Sequence, residues 1–331
     1  RKLLLGDEAI ALGAIHAGIS GVYAYPGTPS TEITEYIQGH AQEVRSRWCT
    51  NEKTAMEAAL GMSYAGKRAL VCMKHVGMNV AADAFVNSAI TGVNGGLVVL
   101  AADDPSMHSS QNEQDSRFYG KFAMIPILEP STQQEAYDMM KYAYALSEEK
   151  KLPVLLRVVT RLAHSRAGVV VNDLMPQNAL NPDKERTWVL LPAIARRQYA
   201  SLVAKQPDLV ESSENSPYNG MNAFEGKAKL GVIACGIAYN YVMENDPQSL
   251  GIPVLKVSQY PLPEASIKAL AAQCESLLVA EDGQPLVEEQ VKAILGADYA
   301  LKGRLTGDLP RMGELTPDCV GAALGVNIEQ P

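Results

Sequence analysis

Glu52 is the residue around which chemistry can be built. Asn51 beside it is of a type that caps a helix, by accepting a hydrogen bond from an unpaired amide of the first turn. A helix opening at Glu52 places Glu52, Ala55, Met56, Ala59 and Ser63 on one face. A carboxyl at the head of a stripe otherwise small or apolar is placed to exchange a proton or a hydrogen bond with something held in a pocket. Acids are also common in first turns because they complement the amide dipole, an effect of a few tenths of a kcal/mol. The stripe, with Ala58, Gly61 and Ala65 beside it, is small in volume and admits another backbone or a flat ligand.

Three further stretches carry candidate groups. After a short strand at 22–25 comes PGTPSTEI, whose prolines and glycine fix a tight turn; Thr28, Ser30 and Thr31 offer hydroxyls and a cap for a helix beginning near Glu32. Strand, turn and helix N-terminus together suit an anion or ligand, and equally suit plain capping. Residues 74–79, with His75 and Asn79, are expected as a loop at the carboxyl end of a buried strand at 70–73, the end where open parallel sheets collect ligands. The segment DDPSMHSSQNEQDSRFYGKFA gathers His108, Ser109, Ser110, Gln111, Asn112, Gln114, Asp115 and Arg117 in a connection of about 20 residues, a length found in functional or solvated loops.

The elements that must position these groups alternate. A helix at 6–18 has Asp7 as its expected cap, with Ala9, Ile10, Leu12, Ile15 and a packed His16 on its buried side. A helix at 81–91, strands at 97–103, 126–129 and 152–159, and a helix at 132–149 complete a doubly wound α/β domain, residues 1–171, with about six mostly parallel strands. Residues 172–229, rich in Pro, Asn, Ser and charge, are expected as a linker with one helix near 188–205. From 230 to 331, strands at 231–235, 254–257 and 276–282 with intervening helices give a second, smaller α/β domain. A chain of 331 residues has room for about two such domains.

Composition excludes several classes. A net charge of −8 with scattered Lys and Arg provides no stripe for a phosphate backbone, so nucleic acid is not an expected partner. No apolar run approaches the ~20 residues of a membrane span, and Leu3–Leu5 is followed at once by GDE, so neither a membrane nor a signal peptide is expected and the cytoplasm is the inferred compartment. The five cysteines, Cys49, Cys72, Cys235, Cys274 and Cys319, form no CxxC pair, and no metal-ligand or iron–sulfur spacing is found. GxxxxGK, GxGxxG and HExxH motifs are missing too. EDG at 281–283 reads as a strand end.

Taken together, YPGTPSTEI, NEKTAMEAALG, MKHVGMNVAAD, TGVNGG and ADDPSMHSSQNEQDSRFYGKFA resemble the alpha subunits of indolepyruvate:ferredoxin oxidoreductases. YPLPEASI and VAEDGQPLVEEQV extend the resemblance over nearly the whole chain. It implies that the first domain is of the thiamine diphosphate pyrimidine-binding type and the second of the transketolase C-terminal type. It implies that Glu52 is the acid that hydrogen-bonds the cofactor's aminopyrimidine, that Thr28 and Pro29 lie by cofactor and substrate, and that His75, Asn79, His108, Asn112 and Arg117 are candidates for the substrate pocket. The implied reaction is oxidative decarboxylation of an aryl-pyruvate to an acyl-CoA with electrons passed to ferredoxin.

Those alpha subunits continue into a diphosphate and magnesium domain and a cysteine-rich ferredoxin-like region, whereas this sequence stops at Pro331. Magnesium, the iron–sulfur clusters and coenzyme A are therefore expected to be held by another chain or by a longer chain of which this is a portion, and this chain alone to be catalytically incomplete. The implied partners are a diphosphate-binding domain, a beta subunit, ferredoxin and a second copy of the chain, packed through the small residues Ala55, Ala58, Ala59 and Ser63. The alternatives are a pyruvate or 2-oxoglutarate ferredoxin oxidoreductase subunit and a non-catalytic two-domain assembly module.

Overall fold

A computed structural model describes residues 1–182 and 188–326, and the chain divides into two compact units. The first is Arg1–Asp104 with Gln114–Gln206; the second is Pro105–Glu113 with Pro207–Pro331.

The first unit begins β1 (Lys2–Leu5), α1 (Gly6–His16), β2 (Gly21–Ala24), α2 (Thr31–His40), β3 (Arg45–Trp48), α3 (Glu52–Tyr64), β4 (Ala69–Lys74) and α4 (His75–Thr91). It continues β5 (Leu97–Asp103), α5 (Arg117–Ala123), β6 (Ile127–Leu128), α6 (Gln133–Lys150), β7 (Val154–Val159), α7 (Thr160–His164), β8 (Arg166–Val169) and α8 (Pro192–Ala204). Six strands lie in the order β6-β7-β5-β4-β2-β3, and every neighbouring pair is parallel. Helices on both faces explain why β5, LVVLAAD, is buried at every residue. From β2 the chain moves outward to β3 and then back across to β4, so the crevice at the carboxyl ends of β2 and β4 is the point where the winding reverses. That is where open α/β sheets bind ligands.

Four sequence expectations change. Residues 74–79 are not a loop: β4 runs through Lys74 directly into α4. Gly77 is buried in its first turn, with the packing described below. Asp7 does not cap α1; Glu8 accepts the Leu5 N–H at 2.8 Å, leaving the Asp7 side chain inside the first turn. The small face of α3 is used within the chain, since Ala55, Ala59 and Ser63 are fully buried and the Ser63 hydroxyl donates to the Gly95 carbonyl at 2.5 Å. It is therefore not a surface for a second copy. Finally, residues 172–182 are tied to the first unit. The Met175 N–H donates to the His16 carbonyl at 2.8 Å, Asn178 Nδ2 to Glu148 Oε1 at 2.7 Å, and the Asn181 N–H to the Ala65 carbonyl at 3.0 Å. Hydrogen bonds to side-chain amides, invisible to hydrophobic periodicity, hold this polar stretch. Residues 183–187 of the expected linker lie outside the described residues.

An antiparallel pair of β1 with β8 was not anticipated. It brings the start of α1 against the end of α7: the Gly6 N–H donates to the Ser165 carbonyl at 3.2 Å, and a Cβ at residue 6 would collide with the Leu162 backbone.

In the second unit the strands follow the order Ala300–Lys302, Cys274–Ala280, Ala228–Cys235, Val254–Val257, Gly220–Met221, with only the last pair antiparallel. Glu281, at a strand end, accepts the N–H groups of Val287 and Glu288, each at 2.9 Å, and so caps the helix Leu286–Leu295. Among the described residues, no helix is long and apolar enough to cross a membrane.

Candidate functional site

Asn51 Oδ1 accepts the Thr54 N–H at 2.9 Å and starts α3 at Glu52. The residues that α3 buries are Glu52, Ala55, Met56, Ala59 and Ser63, the face that periodicity picks out. Glu52 is 8% exposed, and among the described residues its carboxyl takes part in no hydrogen bond or ion pair. It lies against the first turn of α4: a Cβ at Gly77 would sit 2.7 Å from both Glu52 Cγ and Oε1. The carboxyl thus faces a helix N-terminus besides its own, in a slot that exists because residue 77 has no side chain.

This contact makes a prediction. In a helix, Gly→Ala ordinarily stabilises by about 0.5–1 kcal/mol. In Gly77→Ala the flexible Glu52 side chain rather than the backbone must give way, so stability should stay within about 1 kcal/mol of the parent while the carboxyl moves. A displacement near 1 Å at a reacting group costs about 10²-fold in rate, so any reaction in which the Glu52 carboxyl takes part should slow by that order. Parental turnover with parental stability would show that the slot has no role.

At the carboxyl end of β2, the turn before α2 is stapled by its hydroxyls. The Gly27 N–H donates to Thr31 Oγ1 at 2.8 Å, and the Ser30 hydroxyl donates to the Gly27 carbonyl at 2.8 Å. Ser30 occupies the cap position of α2 without capping it; its hydroxyl holds the turn instead. Thr28 is exposed, Pro29 is buried, and the peptide between them is cis. A Cβ at Gly27 would meet the Lys74 side chain, 3.1 Å from its Cδ, so this turn lies beside the junction of β4 and α4.

His75 is buried at the start of α4, and Asn79, in the next turn, is exposed. Tyr119, passed over in the sequence reading, donates its hydroxyl to Asn79 Oδ1 at 2.5 Å and fastens α5 to α4. The polar segment after β5 is divided. His108 and Asn112 belong to the second unit, where His108 Nε2 lies 3.5 Å from Glu314 Oε1 and the Gly313 N–H donates to Glu113 at 3.0 Å.

Asp115 and Arg117 belong to the first unit and are buried. Arg117 Nη2 pairs with Asp115 Oδ2 at 2.5 Å, and Arg157 Nε with Asp103 Oδ2 at 2.7 Å. Glu129 accepts from Arg157, and Asp103 accepts the Ser116 N–H at 2.9 Å. Burial raises the Asp103 carboxyl, with Arg157 opposing it. For Asp115, burial is outweighed by Arg117 and Arg157, which hold its carboxyl below the usual carboxylate range. Arg117 is thus engaged in a buried network that joins the ends of β5, β6 and β7 to α5. The acids and arginines are visible in the sequence, but which of them are buried depends on contacts between distant strands.

The structure therefore brings Glu52 against the first turn of α4, with the Thr28 turn beside that helix's start, at the point where the winding reverses. A buried carboxyl without a protein partner fits a flat heterocycle offering a ring nitrogen, such as an aminopyrimidine.

The family model described as pyruvate flavodoxin/ferredoxin oxidoreductase, thiamine diphosphate-binding, matches residues 12–207. The chain is 43% identical over 321 residues to indolepyruvate oxidoreductase subunit IorA of Archaeoglobus fulgidus, covering 94% of this chain and 51% of that protein. It thus spans about half the length of this curated relative. Two solved structures share the fold. One is a 2-oxoglutarate:ferredoxin oxidoreductase from Magnetococcus marinus with 2-oxoglutarate, coenzyme A and succinyl-CoA bound, with a TM-score of 0.79, 16% identity and coverage of 98% of this chain and 64% of that one. The other is a split gene transketolase, as an inactive beta4 tetramer, with a TM-score of 0.59, 15% identity and coverage of 97% and 95%. With more than half of its residues matched by the family model, the chain belongs to the thiamine diphosphate-binding family of pyruvate flavodoxin/ferredoxin oxidoreductases.

Proposed function

We propose that this chain is the pyrimidine-recognising part of an indolepyruvate (aryl-pyruvate):ferredoxin oxidoreductase, which decarboxylates a 2-oxo acid oxidatively to an acyl-CoA. The observation that carries this reading is the buried, unpartnered Glu52 carboxyl lodged against Gly77. When bound, thiamine diphosphate supplies the carbon nucleophile and electron sink that decarboxylation requires. Glu52 holds a proton at its carboxyl oxygen and shares it with the pyrimidine ring nitrogen. Thr28 presents its exposed hydroxyl, on a turn kept rigid by Ser30 and Thr31, to the substrate carboxylate, and Pro29 fixes that turn against the cofactor. His75 and Asn79 are assigned to the pocket wall, whereas His108 and Asn112 are counted with the second unit. Arg117 braces the loop and does not meet substrate itself, since its guanidinium is buried with Asp115.

A diphosphate-binding domain with its magnesium, a beta subunit, iron–sulfur clusters, coenzyme A and ferredoxin complete the assembly, with a paired copy of the chain at its core. Exposed Val80 on α4 and Phe118 and Phe122 on α5, 48%, 40% and 72% accessible, support a covering partner beside Asn79 and Tyr119. The experiment is coenzyme A-dependent ferredoxin reduction by the assembled enzyme with indolepyruvate, phenylpyruvate, pyruvate and 2-oxoglutarate. The aryl substrates should lead in kcat/KM by at least about tenfold, the discrimination an apolar pocket readily provides. A lead for pyruvate or 2-oxoglutarate would assign the chain to those specificities instead.

A further inference from the structure

Asp7, Glu32 and His164 come from three helix ends that are remote in sequence. Asp7 lies in the first turn of α1, Glu32 in the first turn of α2, and His164 is the last residue of α7. His164 Nε2 is 3.8 Å from Asp7 Oδ2 and 3.8 Å from Glu32 Oε1, and one ligand atom from each of the three lies within 4.8 Å of the others. Asp7 is fully buried, and among the described residues neither of its carboxyl oxygens has a hydrogen-bond partner, nor has the buried Oε2 of Glu32. Left so, the fully buried Asp7 carboxyl and the buried Glu32 oxygen forfeit solvation with no hydrogen bond to offset it. Nothing in the proposed reaction uses them.

We propose that these three residues bind a divalent first-row transition cation, with Zn²⁺ as the reference ion. Donors at the usual ~2.0–2.2 Å from Zn²⁺ lie roughly 3.4 Å apart. The two 3.8 Å separations are therefore only a few tenths of an ångström wide. Glu32 and His164, each with a side chain 39% exposed, have the freedom to close the rest and leave a path for the ion and for completing waters. Asp7 is held by the fold, because Gly6 is pressed onto the Leu162 backbone and bonded to Ser165, which also fixes His164 between them. One imidazole with two carboxylates selects Zn²⁺, Mn²⁺, Fe²⁺ or Co²⁺ over the oxygen-seeking Mg²⁺ and Ca²⁺.

The test is titration of the purified chain with Zn²⁺ against a chromophoric chelator, alongside thermal unfolding with and without Zn²⁺. The parent should bind one equivalent and unfold at a higher temperature with the ion, because the ion binds the folded state only. Asp7→Asn and His164→Gln should each weaken that equivalent at least about tenfold and abolish the thermal shift. If Asp7→Asn does not fold, His164→Gln, altered at a solvent-facing helix end, decides alone. Binding unchanged in His164→Gln, no binding by the parent, or equal uptake of Mg²⁺ would overturn the assignment.

Discussion

Glu52→Gln is expected to leave the chain folded and to lower turnover of the assembled enzyme by about 10²–10⁴-fold, the range that proton transfer by a positioned side chain contributes. Glutamine keeps the shape and can still hydrogen-bond, but it has no proton to share with a ring nitrogen. Stability should change by no more than about 1 kcal/mol, since the group lost is one acid at a helix N-terminus. Losses in kcat and in kcat/KM should be of similar size, because the interaction removed acts in the reaction rather than in holding substrate. Denaturant unfolding of the isolated chain and steady-state turnover of the assembly check the two halves separately. A large stability loss with proportionate activity loss would return Glu52 to a structural role.

Arg157→Met should have the largest effect on stability. Asp103, Asp115 and Glu129 pair with the guanidiniums of Arg117 and Arg157, and all five residues are almost wholly buried. Removing one partner of a buried ion pair leaves an uncompensated charge and costs about 3–5 kcal/mol. Arg157→Met should destabilise by that amount in urea, and adding Asp103→Asn should recover part of it, because coupled neighbours are not additive. A loss below about 1 kcal/mol would mean that the network relaxes or is hydrated. The network also has a pH signature. Since Asp115 is held below its unfolded value, its contribution is present above the ordinary carboxylate range and is lost as pH falls through the lowered value. Asp103, raised by burial, acts in the opposite sense.

What was legible in the sequence was local. The Asn51 cap, the buried face of α3 and the parallel strands of the first unit follow from side-chain chemistry within a few residues and from periodicity. What was not legible depends on distant contacts. Residues 74–79 read as a loop, whereas they run straight into α4, whose Gly77 packs against Glu52 from another helix. Asp7 looks like a cap, but Glu8 accepts the amide instead and Asp7 turns toward Glu32 and His164. Residues 172–182 carry no hydrophobic period because side-chain amides and backbone hydrogen bonds hold them. Arg117 sits in a polar segment of the kind that is usually solvated, and only the approach of Arg157, Asp103 and Glu129 from other strands buries it.

The proposed role of the Glu52 carboxyl is to serve the pyrimidine of thiamine diphosphate. Exchange of the thiazolium C2 proton with deuterated water, followed by quenched-flow NMR on the assembled enzyme without substrate, isolates that role from decarboxylation and electron transfer. The exchange rate in Glu52→Gln is expected to lie at least about 10²-fold below the parent. A rate within a few-fold of the parent would contradict it.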